Sequence, residues 1–348
     1  MINVNEFIKR SATLWSDRIH TMPIVTLMPH SACNCRCVMC DIWKANQNKQ
    51  EISTDLLSQH LHALKQMNVK WAVLSGGEAL MHSNMWKFCE MLKTIQVKIS
   101  ILSTGLLLKK HVESIVKWTD EVIVSLDGSA EVHNRIRNIP NAFQKLQEGI
   151  QAVRHIDPEF RISGRCVLQR LNYFDLSNII DAARTIGLNQ ISFLAADVSS
   201  TAFNRPGKWD NERASDVALN TRETQEFSEL IETTIDRYAS WFEEGFIAES
   251  PDKLRKLAQH YAALNGRDTF PYQPCNAPWV STVIEADGSV RPCFFHKVLG
   301  NINEQPLTEI LNSKDAIRFR KQLDVRNNET CKKCVCRLHV KTVKPVVE

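Results

Sequence analysis

The sequence lacks several features that would indicate a function directly. It has no apolar run long enough to cross a bilayer, and no secretory signal pattern precedes Met22–Pro23. A formal net charge of +4 over 348 residues is small, so nothing in the composition indicates a nucleic-acid or anionic-membrane partner. Internal repeats and low-complexity segments are also missing. These absences predict a cytoplasmic globular protein of one or two domains that binds neither nucleic acid nor membrane.

Cysteine, in contrast, is abundant. The chain contains 11 cysteines and no secretory signal, so metal ligation in a reducing compartment explains them better than disulfides do. Four of them lie within residues 33–40 and five within residues 275–336. The other two, Cys89 and Cys166, stand alone, and Cys89 is predicted to be a buried thiol in a helix.

The first cysteine group reads Cys-Asn-Cys-Arg-Cys-Val-Met-Cys and contains the spacing C-x3-C-x2-C at Cys33, Cys37 and Cys40. Three thiolates on one short loop can hold three irons of a 4Fe–4S cluster, since soft thiolate is the ligand that such clusters need. The fourth iron would have no protein ligand and could bind a small chelating molecule. Cys35 leaves a C-x-C-x-C register open, and a structural zinc loop or buried free thiols are alternatives.

From Pro23 to about Asp197, apolar runs alternate with amphipathic stretches. Six such units predict a parallel sheet with helices outside it, and they are too few for a closed eight-stranded barrel. The fold class that we predict is therefore α/β, as a partial (β/α)6 barrel with its function at the carboxyl ends of the strands. The predicted strands are Ile24–Met28, Trp71–Leu74, Ile99–Leu102, Val122–Leu126, Ile162–Leu168 and Ile191–Leu194.

Glycines and polar residues follow the predicted strands, where a barrel would bind its ligand. Glycines allow a ligand to approach the backbone closely, although a plain βα turn is the alternative. Alternation along the fourth strand turns its polar residues toward the barrel interior. The candidate cofactor-binding residues are Gly76, Gly77 and Glu78 after the second strand, Ser103 and Thr104 after the third, and Ser125 and Asp127 at the fourth.

A C-x3-C-x2-C loop after the first strand, with a Gly-Gly-Glu turn after the second, resembles the radical S-adenosylmethionine (radical SAM) superfamily. The resemblance implies that the open iron binds S-adenosylmethionine (SAM), which is cleaved reductively to methionine and a 5'-deoxyadenosyl radical. It also implies that the Gly-Gly-Glu turn receives the methionine amino group, that Ser125 contacts the ribose or carboxylate, and that Arg137 pairs with the carboxylate. Met39 stands where the family usually has an aromatic residue. A flavodoxin- or ferredoxin-type electron donor is implied as a partner.

Two candidate catalytic residues lie side by side on the fifth strand. Arg165 and Gln169 share the face predicted to line the barrel, whereas Cys166 shares the apolar face predicted to pack against helices. Some radical epimerases quench a substrate radical with a cysteine thiol, which makes Cys166 a candidate hydrogen donor. Its position on the apolar face favours a place in the core instead.

The periodic pattern stops at Asp197, and a polar segment without a predicted element extends to Thr224. Loops of this length in compact domains are often lids, so we predict that this segment covers the barrel mouth, with a mobile surface loop as the alternative. Asp197, Arg205 and Trp209 are candidate substrate contacts, and Asp197 is the candidate proton acceptor.

The second cysteine group surrounds a predicted β-hairpin whose turn contains Asp287-Gly288. Its pattern, C-x12-G-x4-C followed by C-x2-C, resembles the SPASM/twitch extension of radical SAM enzymes, which holds an auxiliary 4Fe–4S cluster. A full SPASM domain has more cysteines than the five present, so one auxiliary cluster is implied, with a zinc ribbon as the alternative. Cys336 either replaces one ligand or is spare. The candidate ligands are Cys275, Cys293, Cys331, Cys334 and Cys336.

These boundaries and resemblances predict the domain organisation and the reaction. The predicted domains are a lead-in at 1–22, a barrel at 23–224 with its lid at 197–224, a helical bridge at 225–268 and a cluster domain at 269–348. We expect an enzyme that oxidises a C–H or alcohol carbon of a small polar metabolite, with the auxiliary cluster as electron acceptor. The alternatives are a radical epimerase, an enzyme that modifies peptides, or a non-catalytic iron–sulfur or zinc protein.

Overall fold

The computed structural model describes residues 4–203, 205 and 207–341. Parts of the predicted lead-in, lid and cluster domain, namely residues 1–3, 204, 206 and 342–348, lie outside the described residues. The strands are β1 (Ile24–His30), β2 (Trp71–Gly76), β3 (Lys98–Ser103), β4 (Glu121–Ser125), β5 (Ile162–Leu168), β6 (Gln190–Ala195), β7 (Ser281–Ile284), β8 (Ser289–Arg291) and β9 (Gly300–Asn301). They form one sheet in the order β6-β5-β4-β3-β2-β1-β7-β8-β9.

The six predicted strands are all present, and each pairs in parallel with the next along the chain. Such stepwise parallel winding with helices between the strands is that of a (β/α) barrel, and the linear strand order leaves it open. The prediction of an α/β fold with a partial barrel is therefore confirmed. The carboxyl ends of β1 to β6 meet at one edge, which is where the cysteine loop and the glycine turn lie.

Helices cover the outside of this sheet. The second helix, for example, begins after Ser53, whose hydroxyl accepts a hydrogen bond from Leu56 N (3.0 Å), and it buries Leu57 and Leu64 on one face. The α-helices are α1 (Val4–Ser16), α2 (Thr54–Gln66), α3 (Met85–Lys93), α4 (Val112–Trp118), α5 (Ala130–Arg137), α6 (Ala142–Ile156), α7 (Leu176–Thr185), α8 (Asn211–Ser215), α9 (Thr221–Arg237), α10 (Ala239–Glu243), α11 (Pro251–Leu264), α12 (Ala277–Val280), α13 (Leu307–Leu311), α14 (Lys314–Gln322) and α15 (Glu329–Lys332). Short 3-10 helices span Ile42–Asn48, Ala79–Met81, Leu108–Lys110 and Tyr173–Asp175.

The C-terminal unit continues the barrel sheet. The predicted hairpin is present, with Val283 opposite Arg291 in the antiparallel pair β7–β8. Strand β7 also pairs in parallel with β1, from Ile24 opposite Ser281 to Leu27 opposite Ile284. Because paired parallel strands end at the same edge, this contact brings the second cysteine group toward the first.

The segment predicted to lack regular structure contains helix α8, and helix α9 begins at Thr221 inside it. The prediction was wrong there because polar side chains cap both helices. Asp210 accepts a hydrogen bond from Arg213 N (2.8 Å), and Asn220 forms a capping box with Glu223. Over the ranges described, no helix has the length and apolar character needed to span a membrane.

Candidate active site

A cavity of about 270 Å³ lies at the carboxyl ends of the parallel strands. This is the position at which barrels of this class bind their ligands. The predicted site residues absent from its wall are Glu78, Asp127, Cys166, Gln169, Arg205, Trp209, Cys275, Cys293, Cys331 and Cys334. Those that line it are Cys33, Cys37, Cys40, Gly76, Gly77, Ser103, Thr104, Ser125, Arg137, Arg165, Asp197 and Cys336.

Three of the four loop thiols face this cavity. Cys33, Cys37 and Cys40 line it, whereas Cys35 is only 1% exposed and lies behind them. Hydrogen bonds with the thiols of Cys33 and Cys37, together with burial, raise the pKa of Cys35. The geometry therefore favours the C-x3-C-x2-C register as the set of soft donors available to a ligand in the cavity.

Hydrogen bonds from distant elements hold the cysteine loop in shape. Val38 N donates to the carbonyl of Ile136 (3.2 Å), so the loop satisfies a carbonyl at the end of α5 that the helix leaves free. The Asn46 side chain binds both the backbone N–H (2.8 Å) and the carbonyl (2.9 Å) of Cys33. These contacts were not predicted from the sequence, because Ile136 and Asn46 lie outside the cysteine motif.

The glycine turn after β2 packs directly against the cysteine loop. A Cβ atom on Gly77 would lie 2.0 Å from the carbonyl oxygen of Ala32, which is far inside any real contact. Gly76 has a φ of +111°, a conformation that favours glycine. Gly77 N and Glu78 N donate to the carbonyls of His30 (3.2 Å) and Ala32 (2.9 Å). The turn and the loop therefore form one packed unit at the cavity wall.

Glu78 is fully buried behind the wall and organises the end of β3. Its carboxylate accepts hydrogen bonds from Thr104 N (2.6 Å), the Thr104 hydroxyl (2.7 Å) and the Ser103 hydroxyl (3.0 Å). Burial raises its pKa despite these bonds. The structure thus gives Glu78 a positioning role for two wall residues, and its predicted contact with a cofactor stays a prediction.

Arg137 connects α5 to the loop thiols. Its guanidinium donates to Cys37 Sγ (3.4 Å) and forms an ion pair with the Asp127 carboxylate, which also accepts from Val167 N (3.0 Å). A hydrogen bond with Cys35, supported by the nearby Arg137 charge, lowers the pKa of Cys37 to about 7. The Cys35 hydrogen bond and the Arg137 charge therefore favour a thiolate at Cys37, whereas Asp127 lies outside the cavity and fixes Arg137 in place.

The fifth strand presents Arg165 to the cavity and Cys166 to the core. Arg165 lines the wall, and its Nε atom donates to Ser192 Oγ (3.4 Å). Cys166 is 0% exposed, and burial raises its pKa well above the usual value. Gln169 was predicted to face the interior but lies buried away from the cavity wall. Alternation did not extend to Gln169 because β5 ends at Leu168.

The lid segment is tied to the cysteine loop. Arg205 forms a buried ion pair with Asp197 (2.9 Å) and stacks on the ring of Trp209 (3.8 Å to its centre). Trp209 Nε1 donates to the Asp41 carboxylate (2.8 Å), directly after the last loop cysteine. Asp197 lines the cavity, but Arg205 and Ser200 already occupy its oxygens. This arrangement supports a fixed cover more than a free proton acceptor at Asp197.

Two aromatic residues that sequence analysis missed close the cavity on another side. Phe203 and Phe294 stack with ring centres 6.2 Å apart and an interplanar angle of 22°. Both also line a neighbouring cavity of about 360 Å³, whose wall includes Glu285 and Arg291. Phe294 directly follows a candidate ligand, Cys293, which is the only hint of this position in the sequence.

All five C-terminal cysteines line a second, narrow cavity of about 30 Å³. His296 Nε2 lies 3.4 Å from Cys331 Sγ, and burial raises the pKa of Cys293 to about 11 and of Cys331 to about 12. Cys336 lines both this cavity and the active-site cavity. Among the described residues, no His, Cys, Asp and Glu side chains are grouped closely enough to hold a single metal ion. Each cysteine set lines a cavity with soft sulfur donors, which is the ligand chemistry that iron–sulfur clusters need.

Comparisons with known proteins agree with this geometry. A model of the radical SAM superfamily matches residues 27–183, and a model of SPASM, an iron–sulfur cluster-binding domain, matches residues 275–335. The chain is 23% identical over 309 residues to an AdoMet-dependent heme synthase of Methanosarcina barkeri, covering 83% of this chain and 81% of that protein. It is also 23% identical over 312 residues to the subtilosin biosynthesis protein AlbA of Bacillus subtilis, covering 87% of this chain and 62% of that protein.

Solved structures show the same fold at low sequence identity. Streptococcus suis SuiB bound to S-adenosylmethionine superposes with a TM-score of 0.62 at 13% identity, covering 95% of this chain and 76% of that chain. The structure of anSMEcpe with bound AdoMet gives a TM-score of 0.59 at 17% identity, covering 90% of this chain and 88% of that chain.

Proposed function

Because the chain belongs to the radical SAM superfamily and carries a C-terminal SPASM domain, we propose that it oxidises a C–H or alcohol carbon of a small polar substrate. Its cofactors are SAM, a 4Fe–4S cluster and an auxiliary iron–sulfur cluster. When bound, these groups supply a 5'-deoxyadenosyl radical at the first cavity and a one-electron acceptor at the second. A flavodoxin- or ferredoxin-type protein is the proposed electron donor.

The chain offers one set of thiols for each cluster. Cys33, Cys37 and Cys40 are the proposed ligands at the active-site cavity, since Cys35 lies behind them. At the second cavity, Cys336 is the thiol that also borders the first cavity, so we propose that it is not a ligand. The proposed ligands there are Cys275, Cys293, Cys331 and Cys334.

The observation that carries the proposal is the wall shared by the two cavities. Cys336 belongs to both linings, and it lies two residues after the proposed ligand Cys334. A carbon radical formed in the first cavity must either gain a hydrogen atom or lose an electron and a proton. Among the described residues, only Cys336 separates this cavity from the site of the electron acceptor, which favours the loss of an electron.

Other residues of the wall orient the substrate. Arg165 presents its guanidinium to the cavity from β5, and Ser125 presents a hydroxyl from β4. Asp197 remains the proposed proton acceptor on the lid, because it is the carboxylate that lines the cavity among the described residues. A substrate hydroxyl would have to replace the bond from Ser200 to reach it. Cys166 is dropped from the catalytic candidates because it is buried in the core.

The double variant Cys331→Ala/Cys334→Ala tests this function. It should still form 5'-deoxyadenosine anaerobically but should make no oxidised product. The wild-type product should be lighter than the substrate by about two mass units, because oxidation removes two hydrogens, one of them as a proton taken up by a nearby base. Cys89→Ala, a change at a buried thiol in α3, is the control and should behave as the wild type. A product of unchanged mass that gains solvent deuterium would replace oxidation with epimerisation.

Peptide modification is the second candidate function. The Phe203–Phe294 pair lines both the active-site cavity and the neighbouring one of about 360 Å³, so displacement of the two rings would give room for a substrate longer than a small metabolite. AlbA takes part in bacteriocin biosynthesis, and SuiB has been solved bound to its precursor peptide. Phe203→Ala distinguishes the candidates, since it should change turnover of a peptide more than that of a metabolite held in the inner cavity.

A further inference from the structure

The cavity of the C-terminal cysteines borders the protein surface on another wall. A surface cavity of about 380 Å³ shares Cys331 and Arg337 with it. This surface cavity shares no lining residue with the active-site cavity, which meets the cysteine cavity at Cys336. The C-terminal cysteines therefore lie between the reaction space and a defined patch of surface.

This patch, which we call the Cys331 surface, is basic. Its lining contains one anion, Glu329, and three cations, Arg326, Lys332 and Arg337. Three positive charges minus one negative charge give the lining a net charge of +2. The whole chain of 348 residues has a formal excess of only +4. Glu329 is already paired with Lys332 (3.2 Å). Among the described residues, Arg326 and Arg337 form no ion pair, although Arg326 lies near Asp324 and Arg337 donates to the carbonyls of Pro271 and Lys332.

Aromatic rings form the apolar part of the same surface. Tyr272 is 51% exposed, and the Arg326 guanidinium lies 4.8 Å above its ring. Lys333 lies 6.0 Å from the ring of Phe270, which also lines the cavity. An exposed tyrosine beside an arginine is typical of a protein contact, and small, charge-guided contacts are typical of transient redox complexes.

We infer that the Cys331 surface is the docking site of an acidic one-electron carrier protein. The inference rests on the proposed oxidation, in which the substrate carbon loses one hydrogen atom to the adenosyl carbon and then one electron and one proton. The auxiliary iron–sulfur cluster that the C-terminal cysteines would hold would accept that electron, and it would have to lose it again before the next turnover. Cleavage of SAM consumes one electron, so a carrier that collects the electron at Cys331 can return it, and the electrons balance. The positive charge of the surface selects a carrier with an acidic face.

The test measures docking separately from turnover. Anaerobic holoprotein without substrate is titrated with a plant-type 2Fe–2S ferredoxin, an acidic one-electron carrier, at low and at physiological salt. We expect the Kd to rise about tenfold or more with salt, because salt screens contacts between exposed charges. Arg326→Glu/Lys332→Glu should raise the Kd at low salt by about tenfold or more, since it reverses two charges. Arg326→Glu alone should have a smaller effect in the same direction, and it does not alter a neighbour of Cys331.

The control variant is Lys145→Glu, an exposed charge reversal on α6, which should leave the Kd unchanged. Iron content, measured on every variant, should equal that of the wild type. An unchanged Kd in both Arg326 variants, or an equal loss in Lys145→Glu, would overturn the docking site. A product of unchanged mass in the oxidation assay would instead overturn the proposed function, while leaving the measured docking contact standing.

Discussion

The two cysteine groups reach similar donor sets by opposite routes. In the first, four cysteines occupy residues 33–40, and one loop between β1 and α2 presents them. In the second, five cysteines are spread over residues 275–336, and the chain must fold before they line one cavity. The first site is therefore a local structure that the barrel holds in place. The second exists only as a product of tertiary packing.

Their electrostatic surroundings differ as well. Arg137 donates to Cys37 and is itself fixed by Asp127, so a cation stands among the first thiols. Burial raises the pKa of Cys293 and Cys331 in the second group, as it does for Cys40 in the first, and the charge of Arg337 opposes this effect only in part at Cys331. Cys37 is thus prepared as a thiolate, whereas Cys40 and the buried thiols of the second group depend on a bound metal to hold them deprotonated.

Removal of one ligand from the first site is expected to have the largest effect. Cys40→Ala should abolish SAM cleavage and lower the iron content from about eight to about four per chain, since two four-iron clusters are expected. Cys35→Ala is the matched control in the same loop and should keep both cleavage and iron. Iron determination and 5'-deoxyadenosine formation check this. Loss of cleavage in Cys35→Ala, with retention in Cys37→Ala, would show that the ligand register is wrong.

An added methyl group at the glycine turn after β2 should disrupt the first cysteine site and leave the second intact. Gly77→Ala places a Cβ 2.0 Å from the backbone oxygen of Ala32, so the cysteine loop has to move, and we expect loss of SAM cleavage with iron near four per chain. Gly288→Ala is the counterpart at the second site, where the Cβ meets the side chains of Asn301 and Asn303. Moving those side chains aside breaks their hydrogen bonds to the Asp287 carbonyl, and this cost adds to that of the φ of +85°, about 1–2 kcal/mol.

Iron content and thermal unfolding distinguish these outcomes. Gly288→Ala should keep about eight irons and only lower the melting temperature. If both glycine variants lost the same amount of iron, the second site would be as dependent on local backbone geometry as the first.

Cys336→Ala should have the smallest effect on metal content. If Cys336 is the wall between the cavities and not a ligand, the variant should keep about eight irons and should still cleave SAM. Product formation should fall by a smaller factor than in Cys331→Ala/Cys334→Ala. Loss of about four irons in Cys336→Ala would make Cys336 a ligand and remove the observation on which the proposed oxidation rests.

Much of the fold was already present in local patterns. Apolar runs predicted all six barrel strands, and the fifth, Ile162–Leu168, matched to the residue. Alternation along the strand correctly predicted that Arg165 lines the cavity and that Cys166 lies in the core, because successive side chains of a strand point to opposite faces. It failed at Gln169, one residue beyond the end of the strand, where that geometry no longer applies.

The sequence by itself determined the spacing of the first cysteines, the parallel barrel and the hairpin near Gly288, because each depends on residues close together in the chain. Only the tertiary structure decided that β7 pairs with β1, that Arg205 and Trp209 fasten the lid to Asp41, and that Cys336 separates two cavities. These contacts join residues far apart in sequence, and their geometry depends on how all the intervening elements pack. No local pattern carries that information.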